Sequence, residues 1–148
     1  MASTKEKITA TALALFAQRG YDGVSVRDIC KQVGIKESSL YYHFPSKQAI
    51  LTTLLSHFEN RAAEGMAQLE QALGDQQGPW GQVSYRMVCQ AFFEGYLMDP
   101  FCNQVLRLLQ MEQFHNPDLG EIYERWMFRV PLAFQGRMFT ALVDLGLL

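Results

Sequence analysis

Residues 26–47 read VRDICKQVGIKESSLYYHFPSK, and they divide into two short amphipathic segments that meet at Gly34. In the first segment, apolar residues recur at positions 26, 29, 30 and 33, which predicts a helix with one apolar face. Ser25 precedes this helix as its predicted N-cap. Gly34 follows the last apolar position, where helices commonly end in a left-handed backbone conformation. The pattern therefore predicts a helix followed by a sharp turn.

A second predicted helix extends from about Glu37 to Phe44 and stops before Pro45. Leu40 and Phe44 are four residues apart, so they share its buried stripe. The side chains outside that stripe can donate to phosphates or base edges, or pack against a thymine methyl group. They are Ser38, Ser39, Tyr41, Tyr42 and His43. This face favours a DNA-reading helix-turn-helix.

The adjacent residues Tyr41 and Tyr42 also allow a structural interpretation, as half-buried core aromatics with polar tips. The residues that follow, Ser46 and Lys47, favour the DNA-binding interpretation. Ser46 is predicted to cap a third, longer helix that begins at Lys47. Lys47 then lies beside a positive helix terminus, where phosphate oxygens bind well.

Together these residues resemble the TetR-type bacterial transcription regulators. Typical members begin with an apolar helix that ends in LF-x-x-x-G-[YF], and continue with T-x-R-D-I-A, a Gly turn, L-Y-x-H-F and S-K. This chain matches the pattern at Leu15, Phe16, Gly20, Tyr21, Ser25, Arg27, Asp28, Ile29, Gly34, Leu40, Tyr41, His43, Phe44, Ser46 and Lys47. The resemblance covers roughly residues 1–55.

The resemblance implies that Arg27 reaches a phosphate or a base edge, that residues 38, 39 and 42 lie nearest the major groove, and that residues 41, 43 and 47 hold the DNA backbone. The predicted DNA interface comprises Arg27, Lys36, Glu37, Ser38, Ser39, Tyr41, Tyr42, His43 and Lys47. Its implied partner is a palindromic double-stranded operator.

Two positions depart from the family pattern. The family often has Ser where this chain has Lys36, and Gly where it has Ser38. A lysine has no acceptor, so Lys36 cannot cap the recognition helix through its side chain. Glu37 either reads a cytosine amino group or stabilises the helix dipole, and the dipole role is favoured.

The charge distribution agrees with a DNA-binding N-terminal part. The whole chain carries a net charge of −2. Residues 1–60 contain seven Lys and Arg against five Asp and Glu, whereas residues 61–148 contain six against ten. All five lysines lie at or before position 47. A modestly basic module joined to an acidic one suits DNA at one end and another ligand at the other.

Composition and motifs exclude several other classes. No apolar run is long enough to span a membrane, and the N-terminus lacks the apolar region of a signal peptide, so a cytoplasmic protein is expected. Cys30, Cys89 and Cys102 fit neither a disulfide framework nor a zinc site, and are interpreted as reduced core residues. No metal, cofactor or enzyme motif is found. A catalytic pair of Glu112 and His115 is the weak alternative.

The remaining sequence predicts further helices. Ser3 and Glu6 form a plausible capping box for the first helix, and the helix from Lys47 is expected to reach about Leu73. Later helices are expected from Pro79 to about Met98, from Phe101 to about His115, and from residues 116–118 onward. Pro131 should kink or divide the last one.

The C-terminal half is rich in aromatic residues and methionines. A pliable apolar interior between helices suits a small lipophilic ligand, and the resemblance implies an effector that moves the linking helix. The predicted ligand contacts are Phe92, Tyr96, Leu108, Met111, Tyr123 and Trp126.

These observations predict an all-α fold with a three-helix DNA-binding module at residues 1–47 and a helical ligand-binding and dimerisation domain at residues 48–148. The family usually continues with two more helices that build the dimer interface, so the chain is expected to lack them. A homodimer is expected, and Leu145, Leu147 and Leu148 are expected to contribute to its interface or to aggregation.

The sequence favours a ligand-released transcription repressor. Two alternatives stay open. One is a DNA-binding regulator without a small-molecule effector, and the other is a helical small-molecule binder or enzyme with a vestigial helix-turn-helix.

Overall fold

The structure is a computed structural model that describes residues 1–74 and 85–146, with the side chains of these residues except 72–74 and 85–87. Within these ranges the chain is helical and contains no strand. The α-helices are α1 (Thr4–Arg19), α2 (Val26–Val33), α3 (Glu37–His43), α4 (Lys47–Gly74), α5 (Tyr85–Phe92), α6 (Pro100–Glu112), α7 (Pro117–Glu124) and α8 (Val130–Asp144). The all-α prediction is confirmed.

The N-terminal module follows its capping residues closely. Ser3 and Glu6 form the predicted capping box of α1, and Ser25 forms a second one with Asp28 at α2. The hydrogen bond from the Ser25 backbone N–H lowers the pKa of the Asp28 carboxyl group. Each box satisfies orphan N–H groups of a helix start, so both starts are set by adjacent residues.

The turn between α2 and α3 depends on a glycine. Gly34 has φ +81° and ψ +36°, the left-handed conformation, and its N–H donates to the Cys30 carbonyl oxygen at 2.8 Å. Only glycine adopts this conformation without steric cost, because it has no Cβ.

Gly34→Ala should therefore lower the free energy of unfolding by about 1–2 kcal/mol. A Cβ at this position meets no heavy atom within 4 Å, so the cost is backbone strain alone. The control is Gly65→Ala inside α4, where a Cβ is equally unobstructed. Alanine should stabilise that helix by about 0.5–1 kcal/mol. Urea denaturation of both variants checks this, and a loss of stability in both would contradict the left-handed turn.

Helix α4 connects the N-terminal module to the rest of the chain. Its 28 residues correspond to a rod of roughly 42 Å. Ser46 caps its start, since the Ala49 N–H donates to the Ser46 hydroxyl oxygen at 3.1 Å. The helix ends at Gly74, one residue beyond the sequence-based expectation.

The later helices agree with most of the sequence-based boundaries. Asp99 and Asn116 cap α6 and α7, each of which carries Pro at its first position. Helix α6 begins one residue earlier than expected and ends at Glu112. The predicted helix start at Pro79 lies outside the described residues.

Two π-helical segments continue α-helices without a break. Phe93–Leu97 extends α5, and Arg125–Arg129 joins α7 to α8. The second segment lies directly before Pro131, which lacks the N–H that a regular α-helical turn would use. The expected division of the last helix therefore takes the form of one wide turn.

One buried cluster extends through both halves of the chain. It contains Phe16, Ile29 and Leu40 of the N-terminal helices, and also Leu108 of α6 and Trp126 near α7. A smaller cluster packs α5 against α8. Buried side chains on both sides of residues 47 and 48 belong to this one cluster. The domain boundary expected between these two residues stays a prediction.

Among the described residues, no helix is both long and apolar enough to cross a membrane.

Candidate nucleic-acid interface and ligand cavity

Helix α3 has an exposed face opposite two buried side chains. Leu40 and Phe44 are 0% and 3% exposed, whereas Tyr42 is 86% exposed and Tyr41 48%. Ser38 and Ser39 are exposed, and His43 is partly buried beside Tyr42. The structure thus places both tyrosines outside the core. This surface has hydrogen-bond donors and aromatic edges, which suit base edges and sugars.

The N-terminus of α1 lies beside this exposed face. Thr4 together with Ile35, Ser38, Ser39, Tyr42 and His43 lines an open groove of about 450 Å³. Sequence reasoning missed Thr4, because nothing local indicates that α1 begins next to α3.

Arg27 and Glu37 connect the starts of α2 and α3. The Arg27 Nε donates to the Glu37 carboxylate at 3.2 Å, and the Arg27 side chain is 87% exposed. Glu37 lies in the first turn of α3, where a carboxylate stabilises the helix dipole. Lys36 occupies the N-cap position and makes no side-chain capping hydrogen bond, as its chemistry predicts. The predicted DNA contact of Arg27 stays a prediction.

Lys47 holds the loop between α1 and α2. Its Nζ donates to the carbonyl oxygens of Tyr21 and Val24, both at 2.9 Å, and lies 4.1 Å from the Tyr21 ring centroid. An ammonium group has three donors, so one is left for a phosphate. The predicted phosphate contact stays a prediction, and the structure adds a structural role that the sequence did not indicate.

Lys47→Met should lower the free energy of unfolding by on the order of 1 kcal/mol, because two hydrogen bonds are lost while the apolar stem is kept. The exposed residue Lys31 provides the control, since Lys31→Met should change stability by less than about 0.5 kcal/mol. Urea denaturation and DNA titration should be measured on the same samples. Unchanged stability with abolished DNA binding would assign the ammonium to a phosphate and not to the loop.

Tyr21 also connects the N-terminal module to α6. Its backbone N–H donates to Glu112 Oε1 at 2.9 Å, and its hydroxyl donates to the Gln48 side chain at 3.1 Å. The Glu112 carboxylate thereby binds the backbone just after the end of α1, while His115 is exposed. This partner gives Glu112 a structural role, which disfavours the weak alternative of a catalytic pair.

A cavity of about 250 Å³ lies between α4 and the π-helical extension of α5. Its lining includes Arg61, Met66, Leu69, Phe92 and Tyr96. A second groove of about 270 Å³ lies between α5 and α8, and the ring of Phe92 contributes to both. The two sites are thus adjacent.

Phe92 and Tyr96 are the predicted ligand contacts that line the first cavity. The other four are not among the described lining of either site. Leu108 is fully buried and Trp126 is 8% exposed, both in the main core, whereas Met111 is 40% exposed. Tyr123 packs edge-on against Phe128. Helical spacing indicates which face is buried, but not which neighbouring helix covers it.

Hydrogen bonds position the polar tips beside the first cavity. The Tyr96 hydroxyl donates to the Trp126 carbonyl oxygen at 3.0 Å, and burial raises the pKa of this phenol. The Trp126 indole N–H donates to Glu59 at 2.9 Å. The Arg61 guanidinium donates to Asp99 at 2.6 Å. Sequence reasoning missed Arg61, because its proximity to an apolar cavity depends on how α4 and α5 pack.

The three cysteines have different environments. Cys30 and Cys102 are buried, and burial raises the pKa of the Cys102 thiol to about 11. Cys89 is exposed beside the second groove, so its assignment to the core was wrong. Apolar neighbours in sequence are poor evidence of burial on a helix, since adjacent residues point in different directions. The described residues contain no group of three or more potential metal ligands among His, Cys, Asp and Glu.

A short helix-turn-helix with an exposed hydroxyl- and aromatic-rich second helix is typical of helix-turn-helix DNA-binding modules. Residues 8–54 match the family model described as bacterial regulatory proteins, tetR family. The N-terminal part of the chain is therefore similar to this family.

Two relatives are similar to this chain over short segments. A 46-residue segment is 54% identical to the biofilm operon icaADBC HTH-type negative transcriptional regulator IcaR of Staphylococcus aureus, and covers 31% of this chain and 25% of that protein. A 58-residue segment is 45% identical to the uncharacterized HTH-type transcriptional regulator YuxN of Bacillus subtilis, and covers 38% of this chain and 20% of that protein. The matches therefore span a quarter or less of these relatives.

The fold extends beyond the matched segment. The structure of a transcriptional regulator from Aquifex aeolicus superposes with a TM-score of 0.64 at 19% identity, and the match covers 97% of this chain and 81% of that one. Salmonella enterica GusR gives a TM-score of 0.62 at 21% identity, with coverage of 97% and 69%. These similarities show a common all-helical fold.

Proposed function

We propose that this protein is a transcription repressor that binds a palindromic operator as a homodimer and is released by a small lipophilic effector. The observation that carries the proposal is the exposed face of α3, where Tyr42 projects from a helix anchored by Leu40 and Phe44. The staphylococcal relative, named a negative transcriptional regulator, supports repression. Its place of action is the cytoplasm, where bacterial operators lie.

The homodimer follows from the geometry of DNA. Two recognition helices must enter successive major grooves, about 34–36 Å apart, so one copy alone binds poorly. Helix α8 provides exposed apolar surface that supports pairing, with Leu132 at 60%, Val143 at 58% and Leu145 at 51% exposure. Residues 147 and 148, which were also expected at the interface, lie outside the described residues.

The effector step rests on the cavities and on helix α6. Asp99 at the start of α6 pairs with Arg61 of α4, and Glu112 at its end accepts the Tyr21 N–H. Helix α6 is thus attached at one end beside the cavity and at the other end to the DNA-binding module. A ligand that shifts α4 relative to α6 changes the support of Tyr21, and through Lys47 the orientation of α3. Differential affinity for the two arrangements drives release.

A selection from a random DNA library with the full chain tests the proposal. An inverted repeat should be enriched, and its binding constant should fall linearly with salt on logarithmic axes. Sedimentation should show two protein copies on each repeat. Enrichment of no sequence above the starting library, or a monomer at micromolar concentration, would contradict it.

A further inference from the structure

We infer that the effector is an amphipathic organic anion, whose anionic group binds the Arg61 guanidinium and whose apolar chain lies along the Phe92 ring. This inference rests on the proposed effector site and specifies its ligand. Four features of the cavity between α4 and α5 carry it.

The first feature is unobstructed space at the cavity floor. Gly65 of α4 and Gly95 of the π-helical segment both line the cavity, and a Cβ built on either meets no heavy atom within 4 Å. The surrounding walls include Met66 and Leu69, which are flexible and apolar. An alkyl chain therefore fits without displacing protein atoms.

The second feature is a single charge. Arg61 is the charged residue in the described lining of this cavity. Its guanidinium has five N–H donors, and in the described part of the chain one of its nitrogens is bound, to Asp99. The side chain is 52% exposed, whereas Asp99 is 15% exposed and also caps α6. Asp99 thus orients the Arg61 guanidinium and leaves some of its N–H donors free in the described part of the chain. A carboxylate or sulfonate can accept two parallel hydrogen bonds from these donors.

The third feature concerns the polar groups of the wall other than Arg61, which are the side chains of Gln68 and Tyr96. The Tyr96 hydroxyl already donates to the Trp126 carbonyl oxygen. Burial raises the pKa of this phenol, so it stays neutral. A ligand therefore finds its strongest polar partner at Arg61. A cationic head group would be repelled there, and a neutral one would gain less.

The fourth feature is the adjacent apolar groove between α5 and α8. Phe92 borders both sites, and the groove adds Val88, Phe134 and Met138 to the apolar surface. The two volumes, about 250 and 270 Å³, together fall in the range of small-molecule sites. A chain that starts at Arg61 can extend past Phe92 into this groove.

Isothermal titration calorimetry of the full chain with decanoate, decanol and decylammonium tests the inference. These probes share one alkyl chain and differ in head-group charge. Decanoate should bind on the order of tenfold more tightly than decanol, and decylammonium more weakly than either. Equal affinities, or binding of none of the three, would overturn the inference.

Variants test separately the contribution of the Arg61 charge and that of the free volume beside Gly65. Arg61→Gln should abolish the preference for decanoate and leave decanol binding unchanged. Asp99→Asn also breaks the ion pair but keeps an N-cap acceptor, so decanoate binding should persist or tighten. Gly65→Leu should block all binding, whereas Gly136→Leu on α8, with equally free space, should not. A decanoate preference that survives Arg61→Gln would contradict the assignment.

DNA titration on the same samples distinguishes the two proposals. Head-group preference without sequence-specific DNA binding would leave this inference standing and reject the proposed repressor. Sequence-specific DNA binding with no probe bound would leave the DNA-binding function standing and reject this ligand class.

Discussion

Replacing Phe58 by alanine should lower the free energy of unfolding by about 3–5 kcal/mol. Phe58 is fully buried in the middle of α4, and its ring stacks on Tyr96 with a centroid separation of 6.1 Å. Truncation removes a large apolar side chain and leaves a cavity that rigid helices cannot fill. Domains of this size are stable by only about 5–15 kcal/mol, so the variant should be close to unfolding.

The same substitution should also remove DNA binding at elevated temperature. Phe58 belongs to the buried cluster that includes Phe16 and Leu40, so its loss weakens the support of α3 as well as the C-terminal helices. Urea denaturation followed by circular dichroism measures the loss. Phe114→Ala is the matched control, because Phe114 is 87% exposed and should change stability by less than about 0.5 kcal/mol. Equal losses in both variants would contradict the placement of Phe58.

Replacing Tyr42 by alanine should relax DNA preference at one base position, at a cost of about 1–3 kcal/mol there. This corresponds to roughly five- to 150-fold in affinity for the preferred base. Tyr42 is 86% exposed, so little packing is lost and folding stability should stay within about 0.5 kcal/mol of the parent. Competition titrations against single-base variants of the selected operator measure the effect.

Two further variants give this prediction its controls. Lys36→Ala removes an exposed charge beside α3, so it should weaken binding to all sequences alike and reduce the salt slope by about one per subunit. Tyr42→Phe keeps the ring and removes the hydroxyl, which separates packing on a thymine methyl or sugar from hydrogen bonding. If Tyr42→Ala and Lys36→Ala behave identically, the assignment of the recognition face is wrong.

Local chemistry explains why the helix-turn-helix could be predicted residue by residue. The capping groups of Ser3, Ser25 and Ser46 satisfy N–H groups within three residues of themselves. Gly34 adopts the left-handed conformation because it has no Cβ. Leu40 and Phe44 are four residues apart, so they lie on the same buried side of the helix. Such interactions are encoded by neighbours in sequence, so a pattern is sufficient to find them.

Sequence reasoning did not find interactions whose partner is distant. The phosphate contact of Lys47 stays a prediction, but the hydrogen bonds from its ammonium to carbonyl oxygens more than twenty residues earlier were not expected. The Glu112 carboxylate, considered only as a weak catalytic alternative, accepts an N–H that is 91 residues away in sequence. Neither position carries a local signal of its partner.

The amino-acid sequence by itself determined the helices of the N-terminal module, their caps, the turn between α2 and α3 and the outward face of α3. The tertiary structure alone decided that Phe92 and Tyr96 line a cavity while Leu108 and Trp126 fill the core, and that Arg61 lies at that cavity. The physical reason is that helical periodicity defines which side of a helix is apolar. Which other helix packs against that side depends on contacts between residues far apart in the chain.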